Sequence, residues 1–380
     1  MIMADNNENK VLNVPHLRFP EFSGEWEMAS LQDIAAINPK SDQLQNTFIY
    51  IDLEAVEKGE LRKIQEIMRE EAPSRAQRVI NNNDILFQCV RPYQKNNYIH
   101  RILNTSNQQW VASTGYAQIR TTESPNYIYH LLNTDGFNRK VMVRCTGSSY
   151  PAINSEDLAT IHLYYTPDKK EQLKISRLLD LLDKRIATQN KIIEKLQSLI
   201  KGLRVCCMQR VYGNNVYLSE IAQIYQPQTI SSTELTEDGF LVYGANGIIG
   251  KYKDYNHETE QICITCRGNT CGMVNYTKPM SWITGNAMVI NTDKYQDKVC
   301  KRYLYHYLSA YNFNSIISGS GQPQIVRTPL EKLKITLPTI SEQKQKAIIF
   351  DKIQDKIDIN HKVLNLYIGQ KQYLLRQMFI

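Results

Sequence analysis

The sequence predicts an α+β protein in which two similar α/β globules are each followed by a long helix. Three observations carry that prediction. A heptad-periodic stretch runs over residues 171–208, a degenerate copy of it closes the chain, and the segments ahead of the two copies carry the same landmarks in the same order. The division that follows is a first globule over 1–168, a first helix over 169–212, a second globule over 213–338, and a second helix with its tail over 339–380.

The helices are justified by their seams. Leu179, Ile186, Ile193 and Ile200 fall at one heptad position, and Ile175, Leu182, Gln189, Leu196 and Leu203 fall at the other. A shift of 171 residues places Phe350, Ile357 and Leu364 at the first position and Ile353, Tyr367 and Leu374 at the second, with Lys346 and Lys371 fraying the ends. One interior polar layer interrupts each seam. It is Gln189 in the first helix and Asn360 in the second, and 360 minus 189 is again 171. An amide inside an apolar seam fixes register at some cost in stability, so these two residues read as a register device. The plain alternative is coincidence within two ordinary core helices.

Composition bounds the rest. With 380 residues, 42% of them apolar and 22% charged, the chain has material for two or three packed domains and is not a disordered polymer. The net charge of +7 suits a polyanionic partner, though an excess this modest does not require one. No apolar run approaches the ~18 residues that span a bilayer, and the polar start 1–10 is unlike a signal peptide, so a cytoplasmic protein without a membrane partner is expected. Eight irregularly spaced cysteines, Cys206 and Cys207 adjacent among them, read as free thiols.

In chain order, a lead-in Leu17-Arg18-Phe19-Pro20-Glu21-Phe22-Ser23-Gly24-Glu25-Trp26 gathers rings around a proline and reads as an arm tied down by aromatics. Ser30 is placed to cap a short helix over 31–34. Strands are predicted over 48–52, 85–90 and 110–119, then a helix over 127–145 and a last strand over 161–165 before Pro167. The second half echoes this plan. Leu218-Ser219-Glu220-Ile221-Ala222 answers the segment 31–35, the stretch 282–287 answers 114–117, and Tyr303-Leu304-Tyr305-His306-Tyr307-Leu308 answers Tyr127-Ile128-Tyr129-His130-Leu131-Leu132. Ser318-Gly319-Ser320-Gly321-Gln322-Pro323-Gln324-Ile325 answers Thr146-Gly147-Ser148-Ser149-Tyr150-Pro151-Ala152-Ile153, and Glu342-Gln343 answers Glu171-Gln172 at the helix starts.

These pieces in this order resemble the specificity subunit of Type I restriction-modification systems, over the whole chain. The lead-in 17–26 carries the resemblance, together with the run from Pro73-Ser74-Arg75-Ala76 through Asp84-Ile85-Leu86-Phe87 to Arg91-Pro92-Tyr93, the Gly-Ser-Pro segments and the tail Leu374-Leu375-Arg376-Gln377-Met378-Phe379. It implies two target recognition domains that each read one half of a bipartite double-stranded DNA site, held apart by two helices packed as an antiparallel coiled coil. The resemblance also implies that the helices dock methyltransferase subunits, two in number, which bind S-adenosylmethionine and methylate adenine; restriction subunits are an optional further partner. Periodicity alone does not choose between parallel and antiparallel. Antiparallel packing of a tandem duplication would give an internal pseudo-two-fold axis and let one chain imitate a dimeric DNA binder while keeping its half-sites different. The seam from Ile175 to Leu203 is ~43 Å long at ~1.5 Å per residue, near one turn of DNA at ~34–36 Å.

Catalytic signatures are wanting. The Asp/Asn-Pro-Pro-aromatic motif of an adenine methyltransferase does not occur, since Asn38-Pro39 runs into Lys40. Gly244-Ala245-Asn246-Gly247-Ile248-Ile249-Gly250-Lys251 superficially suggests a phosphate loop, but five residues separate its outer glycines where the loop has four, and Tyr252 stands where a hydroxyl amino acid is needed. It reads equally as a plain hairpin turn or as a glycine-rich turn offering Asn246 to DNA. Cys263 and Cys266 have the spacing of half a zinc knuckle, with Cys271 and Cys300 further on, but a second pair is missing and the strand around them is apolar, so no metal is expected. His100, His130 and His306 show no partner pattern.

For DNA contact, Arg91, Tyr93, Lys95 and Asn97 in the first globule combine forked, stacking and amide groups beyond a strand end. Arg267, Asn269 and Asn246 are their counterparts in the second, Gln322 and Gln324 join them, and Tyr150 stands in the matching first loop. Arg reads guanine and Asn or Gln reads adenine, which ranks these side chains first. Arg91 and Arg267 fall at comparable places in the two halves, which suits positioning on phosphate better than specificity. The expected function is a non-catalytic, DNA-reading scaffold subunit without its own cofactor. The rivals are a stand-alone DNA-cleaving enzyme with a coiled-coil dimerisation arm, and a structural adaptor. The first lacks a carboxylate or histidine constellation, and the second leaves two similar but divergent globules unexplained.

Overall fold

The computed structural model describes residues 13–102, 108–209, 212–245, 247–319 and 321–380, with the backbone alone at 208 and 209. The polar start 1–10, Asn246 and Ser320 lie outside the described residues. The chain forms two compact units, one of residues 1–188 and 364–380 and the other of 189–363. Each therefore takes a globule and a stretch of both long helices, Lys169–Gln209 and Ile340–Gln377.

Unit 1 is built on two sheets. In the first, Ala35–Ile37, Tyr116–Thr121, Ile85–Gln88 and Tyr98–Ile99 lie side by side in that order, all antiparallel. In the second, the order is Gln65–Met68, Thr47–Ile51, Gln109–Ser113, Ala76–Ile80, with the middle pair parallel. The run predicted as one strand over 110–119 is thus two strands in different sheets. The chain turns at Thr114-Gly115, where Gly115 N–H meets Ser113 Oγ and a β-carbon on Gly115 would press on the Leu53 side chain. The helix predicted over 127–145 is likewise two, Pro125–Leu132 and Asp135–Arg144. Thr134 ends one and begins the next, because its hydroxyl accepts from Phe137 N at 3.2 Å as an N-cap.

Unit 2 repeats the first sheet strand for strand. Gln223–Tyr225, Ala287–Asn291, Ile262–Thr265 and Val274–Tyr276 stand in the same antiparallel order. Its second sheet has three strands, Gly247–Tyr252, Phe240–Gly244 and Trp282–Ile283, and again one parallel pair. The stretch answering 31–35 is a 3-10 turn, Leu218–Glu220, where unit 1 has an α-helical turn over Leu31–Ile34. A two-stranded ribbon closes each unit, Glu27–Ser30 with His162–Tyr165 and Asn214–Tyr217 with Lys334–Leu337.

Within each unit the two long helices run antiparallel. In unit 1 Lys371 bonds Asp183 at 2.5 Å and Arg185 lies over the Tyr367 ring, so the numbers rise on one helix as they fall on the other. The end of the second helix completes this core: Phe379 packs against Trp26 and Tyr127, with ring centroids 6.0 and 5.4 Å away. The lead-in arm is held there too, since Arg18 grips the buried Glu171 with two hydrogen bonds of 2.7 and 2.9 Å and Leu17 N–H donates to Gln377 O. In unit 2 Ile200 packs with Phe350 and Ile357, and the Gln189 amide donates to the Asn360 side chain and to its backbone carbonyl.

A repeated clamp holds each globule to its helix. Gln172 accepts from Ser124 N at 2.9 Å, where a globule helix begins, and donates to Thr166 O at 2.8 Å. Gln343 does the same with Cys300 N at 2.8 Å and Pro338 O at 3.0 Å. Six residues into the same globule helices, His130 meets Asp180 and His306 meets Asp351, both through Nε2 at 2.9 Å. Burial lowers both imidazole pKa values, which favours neutral rings. Arg204 can only donate and it faces His306 Nδ1 at 2.9 Å, so Nδ1 accepts and the proton sits on Nε2, directed at Asp351. The absence of a partner pattern for His130 and His306 is corrected by this pairing.

His100 differs from both. It is buried between Tyr98 and Trp110, neither ring nitrogen has a partner among the described residues, and burial pushes its pKa down to about 4. The folded value lies below the unfolded one of ~6.5. From that pH downward the unfolded chain takes up a proton that the folded chain refuses, so stability falls as pH falls, by about 3 kcal/mol at pH 4. His100→Phe should flatten this dependence. The check is the urea midpoint at pH 7 and pH 4.5, where an equal acid loss in both proteins would contradict the assignment.

Candidate nucleic-acid interface

Each unit presents a loop between a glycine and a proline against a strand end. In unit 1 Thr146 and Ala152 exchange backbone hydrogen bonds of 2.9 Å around Gly147, while Arg91 N donates to Pro151 O and Ile153 N to Cys89 O. In unit 2 Ser318 and Gln324 exchange theirs around Gly319, while Gly268 N donates to Pro323 O and Ile325 N to Cys266 O. The glycines are required. Gly147 has φ +90° and Gly319 has φ +95°, and a β-carbon on either would collide with the carbonyl three residues on, Tyr150 O or Gln322 O.

This frame corrects one alignment. By its backbone hydrogen bonds Arg91 corresponds to Gly268, and both have positive φ, +55° and +87°. Arg267 corresponds to Val90, because Val90 bridges Ala152 as Arg267 bridges Gln324. The two arginines are therefore one place apart and are not counterparts. An arginine held at φ +55° is strained by ~1–2 kcal/mol, a cost glycine avoids.

In unit 1 the half-buried Arg91 guanidinium lies 4.3 Å from the ring centroid of the exposed Tyr150, and Tyr93, two residues on, is exposed as well. Lys95 is half-buried and tied to Asp135 at 2.7 Å, which neutralises part of its charge. Asn97 leaves the candidate surface: it is 2% exposed, and its amide accepts from Gln88 N at 2.8 Å and donates to Asn133 at 3.1 Å. An amide spent inside the fold cannot also read a base.

In unit 2 Arg267, Asn269, Gln322 and Gln324 are all exposed. Arg267 and Gln324 stand on the rim of a recess of about 340 Å³, which Gln226 and Arg327 also line, over a buried floor of Cys266, Met288 and Ile325. Gln226 and Arg327 were missed in the sequence, where they fall just past the repeated segments 218–222 and 318–325 and outside the residues those repeats single out. The segment around Asn246 joins strands Phe240–Gly244 and Gly247–Tyr252, so the glycine-rich run is a hairpin. Cys263 and Cys266 are three apart at a strand and belong to different apolar clusters, so they do not converge on one ion. Burial pushes the Cys263 thiol up to about 12. Among the described residues no group of three or more His, Cys, Asp or Glu is placed to hold a metal ion, and no helix is long and apolar enough to cross a membrane.

A duplicated α+β scaffold that displays unlike polar side chains on like loops defines a class, the two-unit recognition protein. The family is then specific: the profile of the Type I restriction modification DNA specificity domain matches residues 23–198 and again 214–366, and the chain belongs to that family. It is similar to the Type I restriction enzyme EcoprrI specificity subunit of Escherichia coli, with 31% identity over 147 residues, 37% of this chain and 36% of that one. The alignment thus spans about a third of that relative's length. Among solved structures, the S subunit of a Type I restriction-modification system from M. genitalium aligns with a TM-score of 0.65 at 15% identity, covering 97% of this chain and 99% of that one. A chain from a structure of type I complex assembly and conformational transition gives 0.57 at 19%, covering 92% and 96%. At such identities the likeness concerns the fold.

Arg91→Gly removes the side chain where unit 2 already has glycine, so the fold should hold and thermal stability should be unchanged or higher. Binding of DNA by the assembled complex should weaken, and a phosphate contact would lower the salt slope by about one. Anisotropy titrations over a range of salt measure this, and unaltered affinity at every salt would take Arg91 out of the interface.

Proposed function

We propose that the chain is the DNA-reading, non-catalytic subunit of a Type I restriction-modification complex. Residues 1–168 and 213–338 each read one half of a bipartite double-stranded site, and the helices over 169–212 and 339–380 carry the partners. One observation supports this above the others: the same set of backbone hydrogen bonds appears twice with different side chains on it, Arg91 and Tyr150 in one unit, Gly268 and Gln322 in the other. A catalytic unit duplicated by descent would keep its reacting groups the same. A reader of two unlike half-sites keeps the frame and changes the contacts.

The partners are methyltransferase subunits that bring S-adenosylmethionine, two in number, with restriction subunits optional; this chain needs no cofactor of its own. Each unit offers apolar side chains on its helices outside the packed seam. In unit 1 Leu366 and Tyr373, seven residues apart, are 72% and 54% exposed, and in unit 2 Ile192 and Leu199, also seven apart, are 38% and 50% exposed. Such a heptad-spaced stripe suits a partner helix. The Gln189–Asn360 amide pair serves as the register device of the helices in unit 2.

The chain alone should bind no S-adenosylmethionine by calorimetry and should retain the co-expressed methyltransferase on a pull-down. Leu366→Asp should lower the number of methyltransferase copies retained while leaving the far-ultraviolet melt in place. Stoichiometric cofactor binding by the isolated chain, or full retention of partners by the variant, would contradict the proposal.

A further inference from the structure

The one-place offset between Arg91 and Arg267 changes what Arg267 can do. An arginine common to both units would suit positioning, because the units read different sequences. Arg267 is not common. Its backbone partner is Gln324, and the matching bridge in unit 1 joins Val90 to Ala152. Residues paired directly across two antiparallel strands project their side chains to the same face, so unit 2 holds a guanidinium beside a carboxamide where unit 1 holds two small apolar groups. Neither side chain has a hydrogen-bond or ionic partner among the described residues, and both are exposed. The neighbouring Arg327, by contrast, is engaged by Glu331 at 2.7 Å. In unit 1 the place matching Arg327 is Ser155, whose hydroxyl is bound by the Asn38 side chain at 2.6 Å. The exposed Arg267–Gln324 pair belongs to unit 2 alone.

A forked guanidinium pairs with guanine O6 and N7, and a carboxamide pairs with adenine N6 and N7. We propose that the Arg267–Gln324 pair is a specificity determinant of unit 2, Arg267 selecting a guanine and Gln324 the adenine next to it in the major groove. The proposal rests on the DNA-reading function given above. In unit 1 Val90 and Ala152 can contribute no more than apolar contact at this place, and that unit reads its half-site with other groups, among them Arg91, Tyr93 and Tyr150.

The test is single-molecule sequencing of methylated DNA from cells carrying the full complex with the wild-type chain, Arg267→Lys, or Arg267→Val with Gln324→Ala. Lysine keeps the charge and loses the fork, and both sites are exposed, so folding is spared; retention of methyltransferase confirms assembly. Arg267→Lys should relax one guanine in one half-site, with preference at that base falling roughly ten- to hundred-fold, and leave the other half-site intact. The double variant should relax the guanine and its neighbouring adenine together. Arg267→Lys methylating as wild type while the double variant weakens all sites evenly, with a salt slope lower by about one, would make Arg267 a phosphate contact and overturn the proposal. Relaxation at a base other than guanine would overturn it as well. A wild-type complex with no sequence preference would instead overturn the DNA-reading function itself, so the two failures are distinguishable.

Discussion

A buried carboxamide at the start of each long helix holds the architecture together. Gln172 and Gln343 each satisfy two backbone groups that would otherwise be buried without partners, an N–H at the head of a globule helix and a carbonyl at the end of a strand. Leaving either group unpaired costs ~1–3 kcal/mol, so a change of the glutamine releases two penalties at once. The His–Asp pairs add a second attachment along the same helix face. With both in place the globule helix is fixed in position and rotation, and the sheet behind it follows.

That attachment lets the loops vary. The glycine–proline loops are built from backbone bonds, so their path depends on Gly147 and Gly319 and hardly on what occupies the other positions. Side chains can then be exchanged without moving the frame. Unit 1 uses this freedom for an arginine stacked on a tyrosine, and unit 2 for an arginine beside a glutamine over a recess. The second sheet, four strands in one unit and three in the other, diverges further; among the described residues the clamps that grip the long helices lie outside it.

The long helices and the duplication were legible because heptads and repeats are periodic, and the Glu-Gln matches at 171 and 342 mark the clamps. The His–Asp partners were not, because about 50 residues of intervening chain separate His130 from Asp180 and no local pattern links them. Asn97 looked like a reader because a loop rich in Arg, Lys and Asn does not reveal which amide turns inward; only the Gln88 N–H awaiting a partner decides that. Matching Arg91 to Arg267 failed for a related reason. Identity of letters aligned them, while the backbone placed glycine opposite Arg91, the residue type that suits a positive φ. Apolar runs were over-extended for want of turn signals: Thr114-Gly115 was too slight to mark a change of sheet, and Asn133-Thr134 too slight to mark two helices.

The central claim is that two globules read DNA independently on one shared frame. Replacing residues 213–338 with the matching segment of a family member of different specificity tests it most directly, with the methylated sequence read genome-wide. The expected result is a hybrid target in which one half-site is new and the other unchanged. A target altered in both halves, or altered in neither while the complex remains active, would contradict the account.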